Sequence, residues 1–180
     1  MKLPRTIRLD PSDTFVFRRP AEPGEWVVTG SFLFDPAQVE SLDAKGRTAF
    51  RSGFLGIVSF GWSTLAVVTQ ASAGEREAAV EQLAAQLVAK LGAPDLAAAR
   101  AAAEEEIGFA ASLCDHPEGT LLALHRTLEA GEMRERFRTL QPRGDRPKDA
   151  FRAFEFLDVD GEGEPVEEVD LLNLGKKSAP

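Results

Sequence analysis

The feature that most constrains this chain is a pair of alanine-rich helical patterns separated by a glycine stop. Ser72 followed by Glu75 forms a capping box, in which each side chain can satisfy the other residue's free backbone N–H. Val80, Leu83, Ala84, Leu87 and Leu91 then recur on one face of a helix. Gly92 ends it, because glycine accepts the left-handed conformation that a helix C-terminus often needs. A second helix begins near Asp95, with a stripe of Leu96, Ala99, Ala103, Ile107, Ala110 and Cys114. Side chains this small let both helices approach a sheet or each other closely. Just upstream, residues 63–70 form a short apolar run rich in β-branched residues, which favours a strand.

The remaining signals are strand-like on both sides of the pair. Residues 6–9 alternate as a strand, residues 10–13 are turn material, and residues 14–17 read as the returning strand of a hairpin. Residues 26–34 predict a longer strand with Trp26, Val28, Phe32 and Phe34 on one face. Gly30 interrupts it, which points to a bulge or a close backbone contact. Asp35 as cap, Pro36 in the first turn and Gln38 at the capping-box position predict a helix start. That signal weakens at Gly46 and resumes at Ala49 and Phe50. Residues 54–60 predict a strand joined to the next by Gly61. After the helix pair come a loop at 116–119, a hairpin of residues 120–128 and 132–140, a polar connection at 141–149 and a strand at 151–159. Strands enclosing a helix pair predict an α+β fold, a mostly antiparallel sheet with the helix pair packed on one side. Residues 1–168 are expected to form one domain, large enough to bury roughly 70% of its unfolded surface. Residues 169–180 form a C-terminal tail whose Leu171, Leu172 and Leu174 are expected to dock on the protein or on a second copy.

Register decides what the second hairpin presents. A two-residue turn at Ala130 and Gly131 pairs Glu129 with Glu132, Leu128 with Met133, Arg126 with Glu135, Leu124 with Phe137 and Leu122 with Thr139. That face is apolar with one opposite-charge pair, as a core-facing surface should be. The other face pairs Thr127 with Arg134, His125 with Arg136 and Ala123 with Arg138. A bulge at Gly131 would set Leu124 against Arg136 and mix the faces, so it is rejected. His125, Arg134, Arg136 and Arg138 are therefore the candidate ligand-binding residues. Forked guanidinium groups suit phosphate or carboxylate. Neighbouring cations should disfavour a proton on His125 unless an anion sits there.

Charge is segregated along the same stretch. Positions 134–148 hold six cations and two anions, and positions 155–170 hold eight anions and no cation. Blocks of opposite sign tend to associate, so the acidic run after Phe154 is expected to fold back over the arginines. An external phosphate or carboxylate is the alternative occupant.

Several chemistries are set aside. A net charge of −8 argues against a nucleic-acid binder, which needs a positive field, and against attraction to an anionic membrane. A single cysteine excludes an intrachain disulfide and any all-cysteine metal site. No signal-peptide core and no run of ~18 apolar residues is present, so a reducing cytoplasm is the expected address. Cys114, Asp115, His116, Glu118 and His125 cluster in sequence, but Cys114 and His116 are too close for usual zinc spacing. Cys114 itself lies on an apolar stripe, where a thiol behaves as a small hydrophobe. Residues 158–163 fail both registers of a calcium loop. The stretch around Ser59 has one spacer too many for a nucleophile elbow. Glu104, Glu105 and Glu106 point to different sides of a helix and read as a solvated face. No catalytic residue, metal site or cofactor is expected.

Three stretches carry a resemblance: residues 5–34, the run 50–56 with 61–64, and residues 114–119. Together they resemble a family of standalone alphaproteobacterial proteins of unknown function. The resemblance implies a small bacterial cytoplasmic protein and brings no catalytic residues with it. The expected function is a non-enzymatic binding or accessory protein that engages a protein partner or a second copy of itself. The alternative is a small-anion or small-molecule site, enzymatic or not, on the cationic face of the hairpin.

Overall fold

The computed structural model describes residues 1–142 and 154–158, with side chains described through residue 140. In chain order the elements are β1 (Lys2–Ile7), α1 (Ser12–Val16), β2 (Val27–Val28), α2 (Ala44–Ser52), β3 (Phe54–Gly56), β4 (Trp62–Ser63), β5 (Leu65–Gln70), α3 (Ala73–Leu91), α4 (Leu96–Ser112), β6 (Leu121–Glu129), β7 (Glu132–Pro142) and β8 (Phe154–Asp158). Strands β1-β5-β6-β7-β8 form one antiparallel sheet and β2-β3-β4 a second. The fold is α+β, as the run of strands around a helix pair predicts.

Local chemistry sets the helix pair. The Ser72 hydroxyl accepts from the Glu75 amide at 3.2 Å, and the Glu75 carboxylate accepts from the Ser72 amide at 2.9 Å. Gly92 closes α3 at φ 67°. The Asp95 carboxylate accepts from the Ala98 amide at 2.7 Å and opens α4. Val80, Leu83, Ala84 and Leu87 of α3 and Ala99, Ala103, Ile107 and Ala110 of α4 are buried together with Leu3, Val28, Leu55 and Ile57. A second cluster packs Ala66, Val68, Leu122 and Leu124 of the large sheet against Val27, Phe54 and Cys114. Leu91 and Leu96, at the ends of the two stripes, are exposed rather than buried, because the helices outrun the surface they cover.

Five strand or helix expectations are corrected. The first hairpin does not form: β1 pairs with β5, with Ile7 opposite Leu65, and the segment after the turn is the helix α1. Its Asp13 is buried and accepts from the Ser63 hydroxyl at 3.2 Å and the Thr64 hydroxyl at 2.5 Å. A helical turn carries that carboxylate to the junction of β4 and β5. The strand expected over 26–34 stops at Val28. Gly30 sits at φ +73°, and a Cβ there would lie 2.7 Å from the Leu55 Cβ, so the chain turns into a 3-10 segment at Ser31–Leu33.

The strand expected over 54–60 stops at Gly56. The Glu25 carboxylate accepts from the amides of Val58 and Ser59 at 2.7 and 2.8 Å and holds them in a turn. The run 63–70 is divided at Thr64 between the two sheets. The helix signalled at Asp35 is a 3-10 segment, Pro36–Ser41, and α2 begins afresh at Asp43, whose carboxylate accepts from the Gly46 amide at 2.8 Å. The acidic segment 160–168 and the leucines of the tail lie outside the described residues.

Candidate functional site

The 121–142 hairpin adopts the register that its alternation predicts. Glu129 lies opposite Glu132, Arg126 opposite Glu135, His125 opposite Arg136 and Ala123 opposite Arg138. Ala130 and Gly131 both take positive φ, 51° and 81°, which is the geometry of a two-residue turn matched to strand twist. Successive side chains alternate between faces, so the hairpin presents two different chemistries.

The inward face is built on Arg126, whose side chain is fully buried. Its Nε donates to Glu135 Oε1 at 2.7 Å. Its Nη1 donates to the carbonyls of Phe50 and Gly53, each at 3.0 Å, and its Nη2 donates to the Thr29 carbonyl. The guanidinium also lies 5.6 Å from the ring centroid of Phe34, which packs at 5.3 Å against both Phe50 and Trp62. Arg126 thus caps the C-terminal carbonyls of α2 and ties that helix and the Thr29 turn to β6. Burial lowers its pKa, and the charges of Glu135 and Glu106 oppose that shift. Glu106 of α4 is half-buried rather than part of a fully solvated face. Burial and then the charge of Glu135 raise its pKa.

The outward face carries the sequence-predicted residues together. His125, Arg134, Arg136 and Arg138 are all exposed on it, and a shallow hollow there is lined by Ala123, Leu124, His125 and Arg138. The small side chain of Ala123 opposite Arg138 leaves room for that hollow. The pKa of His125 is lowered by partial burial first and then by the charges of Arg138, Arg51 and Arg136. Arg51, from the last turn of α2, is a member that the strand pattern could not reveal. It is brought in by tertiary packing, through the helix that Arg126 holds. Two rim contacts are weak: Arg134 to Glu132 at 3.4 Å and Arg136 to Glu129 at 3.9 Å, all four side chains more than half exposed. Such pairs contribute ~0–1 kcal/mol and leave most of the positive potential in place. Across the next pair of strands, Arg138 lies opposite Asp158 of β8.

The other sequence-adjacent candidates do not assemble. Cys114 is buried among apolar residues, and burial pushes its thiol up to about 12. Among the described residues, no three His, Cys, Asp or Glu side chains are grouped to hold a metal ion. Ser59 donates to Glu25 at 2.5 Å within a turn, with no histidine in its bonding. No described helix is long and apolar enough to cross a membrane.

The model of a family of unknown function, DUF6505, matches residues 1–153. The chain belongs to that family. The match takes in β1 through β7, including the cationic face and Arg126, and it stops just short of β8 and the acidic block. No curated protein and no solved structure matches this DUF6505 chain. The outward face of its hairpin is therefore read from its own geometry.

Proposed function

We propose that this protein is a non-enzymatic binding or accessory protein that receives an acidic segment of a protein partner on the outward face of the 121–142 hairpin. The observation that carries this reading is the convergence of His125, Arg136 and Arg138 on one exposed strand surface, with Arg51 adding its charge from α2. A chain of net charge −8 concentrates positive potential there rather than spreading it. Planar guanidinium groups on a flat strand surface suit carboxylates along an extended peptide. The family resemblance supports a bacterial, alphaproteobacterial cytoplasm as the setting.

Fluorescence polarisation with a labelled ten-residue Asp/Glu peptide tests the proposal. Binding should weaken as salt rises, and Arg136→Glu should weaken it about tenfold or more. Lowering the pH below the ordinary His range should tighten binding, because an anion favours the protonated imidazole that the arginines disfavour. Equal binding by the Arg136→Glu variant, or by a basic peptide, would rule the reading out. The hollow beside His125 and Arg138 favours one second reading, a small-anion site. Thermal stabilisation by inorganic phosphate that Arg138→Ala abolishes would select it.

A further inference from the structure

The sheet register joins the cationic face to an apolar corner. Ile7 lies opposite Leu65, Leu65 opposite Ala123 and Ala123 opposite Arg138, so these four form one row across β1, β5, β6 and β7. Directly opposed residues of antiparallel strands point to the same face, so the row lies on the outward face with His125 and Arg136. Ile7 and Leu65 are partly exposed there, and Leu9, just beyond β1, is 56% exposed. Ile7, Leu9 and Leu65 line a hollow of about 110 Å³. Small-molecule pockets begin at ~300 Å³, so this one suits a single side chain. The polar groups that also line it are engaged elsewhere. Asp13 accepts from the hydroxyls of Ser63 and Thr64 at 3.2 and 2.5 Å, Asp10 accepts from the Ser12 amide at 2.7 Å, and Arg8 donates to the Ala21 carbonyl at 2.7 Å. What the hollow offers a visitor is therefore apolar, and its two carboxylates make it unfavourable for an acid.

We propose that the acidic partner segment is amphipathic: it seats one large apolar side chain among Ile7, Leu9 and Leu65, crosses Ala123, and sets its acids on His125 and Arg136. The inference deepens the binding reading above and rests on it. Charge separation fixes the direction, since acids suit the arginine end of the row and are repelled at the Asp10 and Asp13 end. Ala123 gives the segment its path, because a methyl group is all that rises from the sheet between the two ends. Spacing follows from the register. Arg136 lies two strands across from Leu65 and two residues along, about 12 Å away. An extended segment covers that distance in about four residues. Residues four apart in an extended chain share a face, so the anchor and its acid can both point down onto the sheet.

Two labelled ten-residue peptides of equal charge test the proposal against the full-length chain. Each carries three consecutive Glu in a Gly/Ser background, with either Phe or Ser four residues from the central Glu. The Phe peptide should bind at least about tenfold more tightly, as burial of one aromatic side chain allows. Leu9→Ser and Leu65→Thr should each remove most of that advantage and leave the Ser peptide's affinity unchanged. Leu9 lies outside the strand and is exposed, so its variant keeps the fold. Arg136→Glu should weaken both peptides alike, and rising salt should weaken both while the ratio between them holds. Equal binding of the two peptides by wild type would overturn the apolar seat and leave the acidic reading standing. A Phe advantage that survives both leucine variants would overturn it as well, since the ring would then sit elsewhere. If the Phe advantage depends on Leu9 and Leu65 but Arg136→Glu changes nothing, the acidic reading fails and the proposal with it. An elution volume that grows with protein concentration and is restored by Leu9→Ser would assign the corner to a second copy and overturn the partner segment.

Discussion

Replacing Arg126 with Met removes a buried cation while keeping most of the side chain's volume. Three groups lose a donor that sits within 3.0 Å or closer: the carbonyls of Phe50, Gly53 and Thr29. The Ala49 carbonyl keeps the Gly53 amide at 2.9 Å and loses little. Glu135, with its side chain only 18% exposed, is left without its cation. Stranding one member of such a pair costs about 3–5 kcal/mol, and each newly unsatisfied carbonyl costs about 1 kcal/mol at the low end. These terms share one side chain and do not add fully, which brings the expectation to about 4–6 kcal/mol.

That is a large part of the ~5–15 kcal/mol available to a domain, and it corresponds to a melting-temperature loss of about 10–20 °C. Urea denaturation followed by tryptophan fluorescence is a local as well as a global assay, since Trp62 stacks on the ring over which Arg126 lies. Arg126→Lys keeps the charge but loses the fork, and should cost about half as much. Arg126→Met with Glu135→Met should recover part of the loss, because no carboxylate is then stranded. A single Arg126→Met variant within about 1 kcal/mol of wild type would refute the reasoning, and would show that α2 and the Thr29 turn are held by apolar packing alone.

The helix pair and the cysteine that follows it give three more tests. Leu87→Ala should cost about 2–5 kcal/mol in the same urea assay, and native Cys114, 2% exposed, should react with thiol reagents only on unfolding; rapid labelling of the folded chain would contradict the packing. Glu106→Gln should raise stability at neutral pH and leave it unchanged below the ordinary Glu range. Its folded pKa is raised, so its favourable contribution is present when protonated and is lost as pH rises through the folded value. A flat difference between the two chains across pH 3–8 would remove Glu106 from the set of coupled charges around Arg126.

Much of the candidate site was legible because hairpin register follows from alternation and from the turn between the strands. A one-residue slip through a bulge at Gly131 would set Leu124 against Arg136 and mix the faces, so the two faces of β6 and β7 are sorted from contiguous residues alone. The pairing of Arg126 with Glu135 is legible for the same reason. Its weight is not, because the three carbonyls that complete its bonding come from residues 73 to 97 positions away. Arg51 escapes the sequence entirely: nothing in an i, i+2 strand pattern points to a helix end 74 positions earlier, and only the packing of α2 on β6 carries its charge to His125.

By itself, the sequence determined the elements whose causes are local. The capping box at Ser72 and Glu75, the Gly92 stop, the Asp95 cap and the hairpin turn at Ala130 and Gly131 each bring their partners together within a few residues, at little cost in chain entropy. Tertiary structure decided the elements whose partners are distant. Residues 2–7 became an edge strand of the large sheet because β5 was there to receive them, and residues 12–16 became a helix that brings buried Asp13 to Ser63 and Thr64. The long strand expected through Gly30 ended early because Leu55 and Trp62 occupy the space a straight strand would need, and only a glycine at positive φ can turn there. Short alternating runs such as 14–17 and 26–34 satisfy helix, turn and strand almost equally. Contacts made across the fold, not propensity, chose among them.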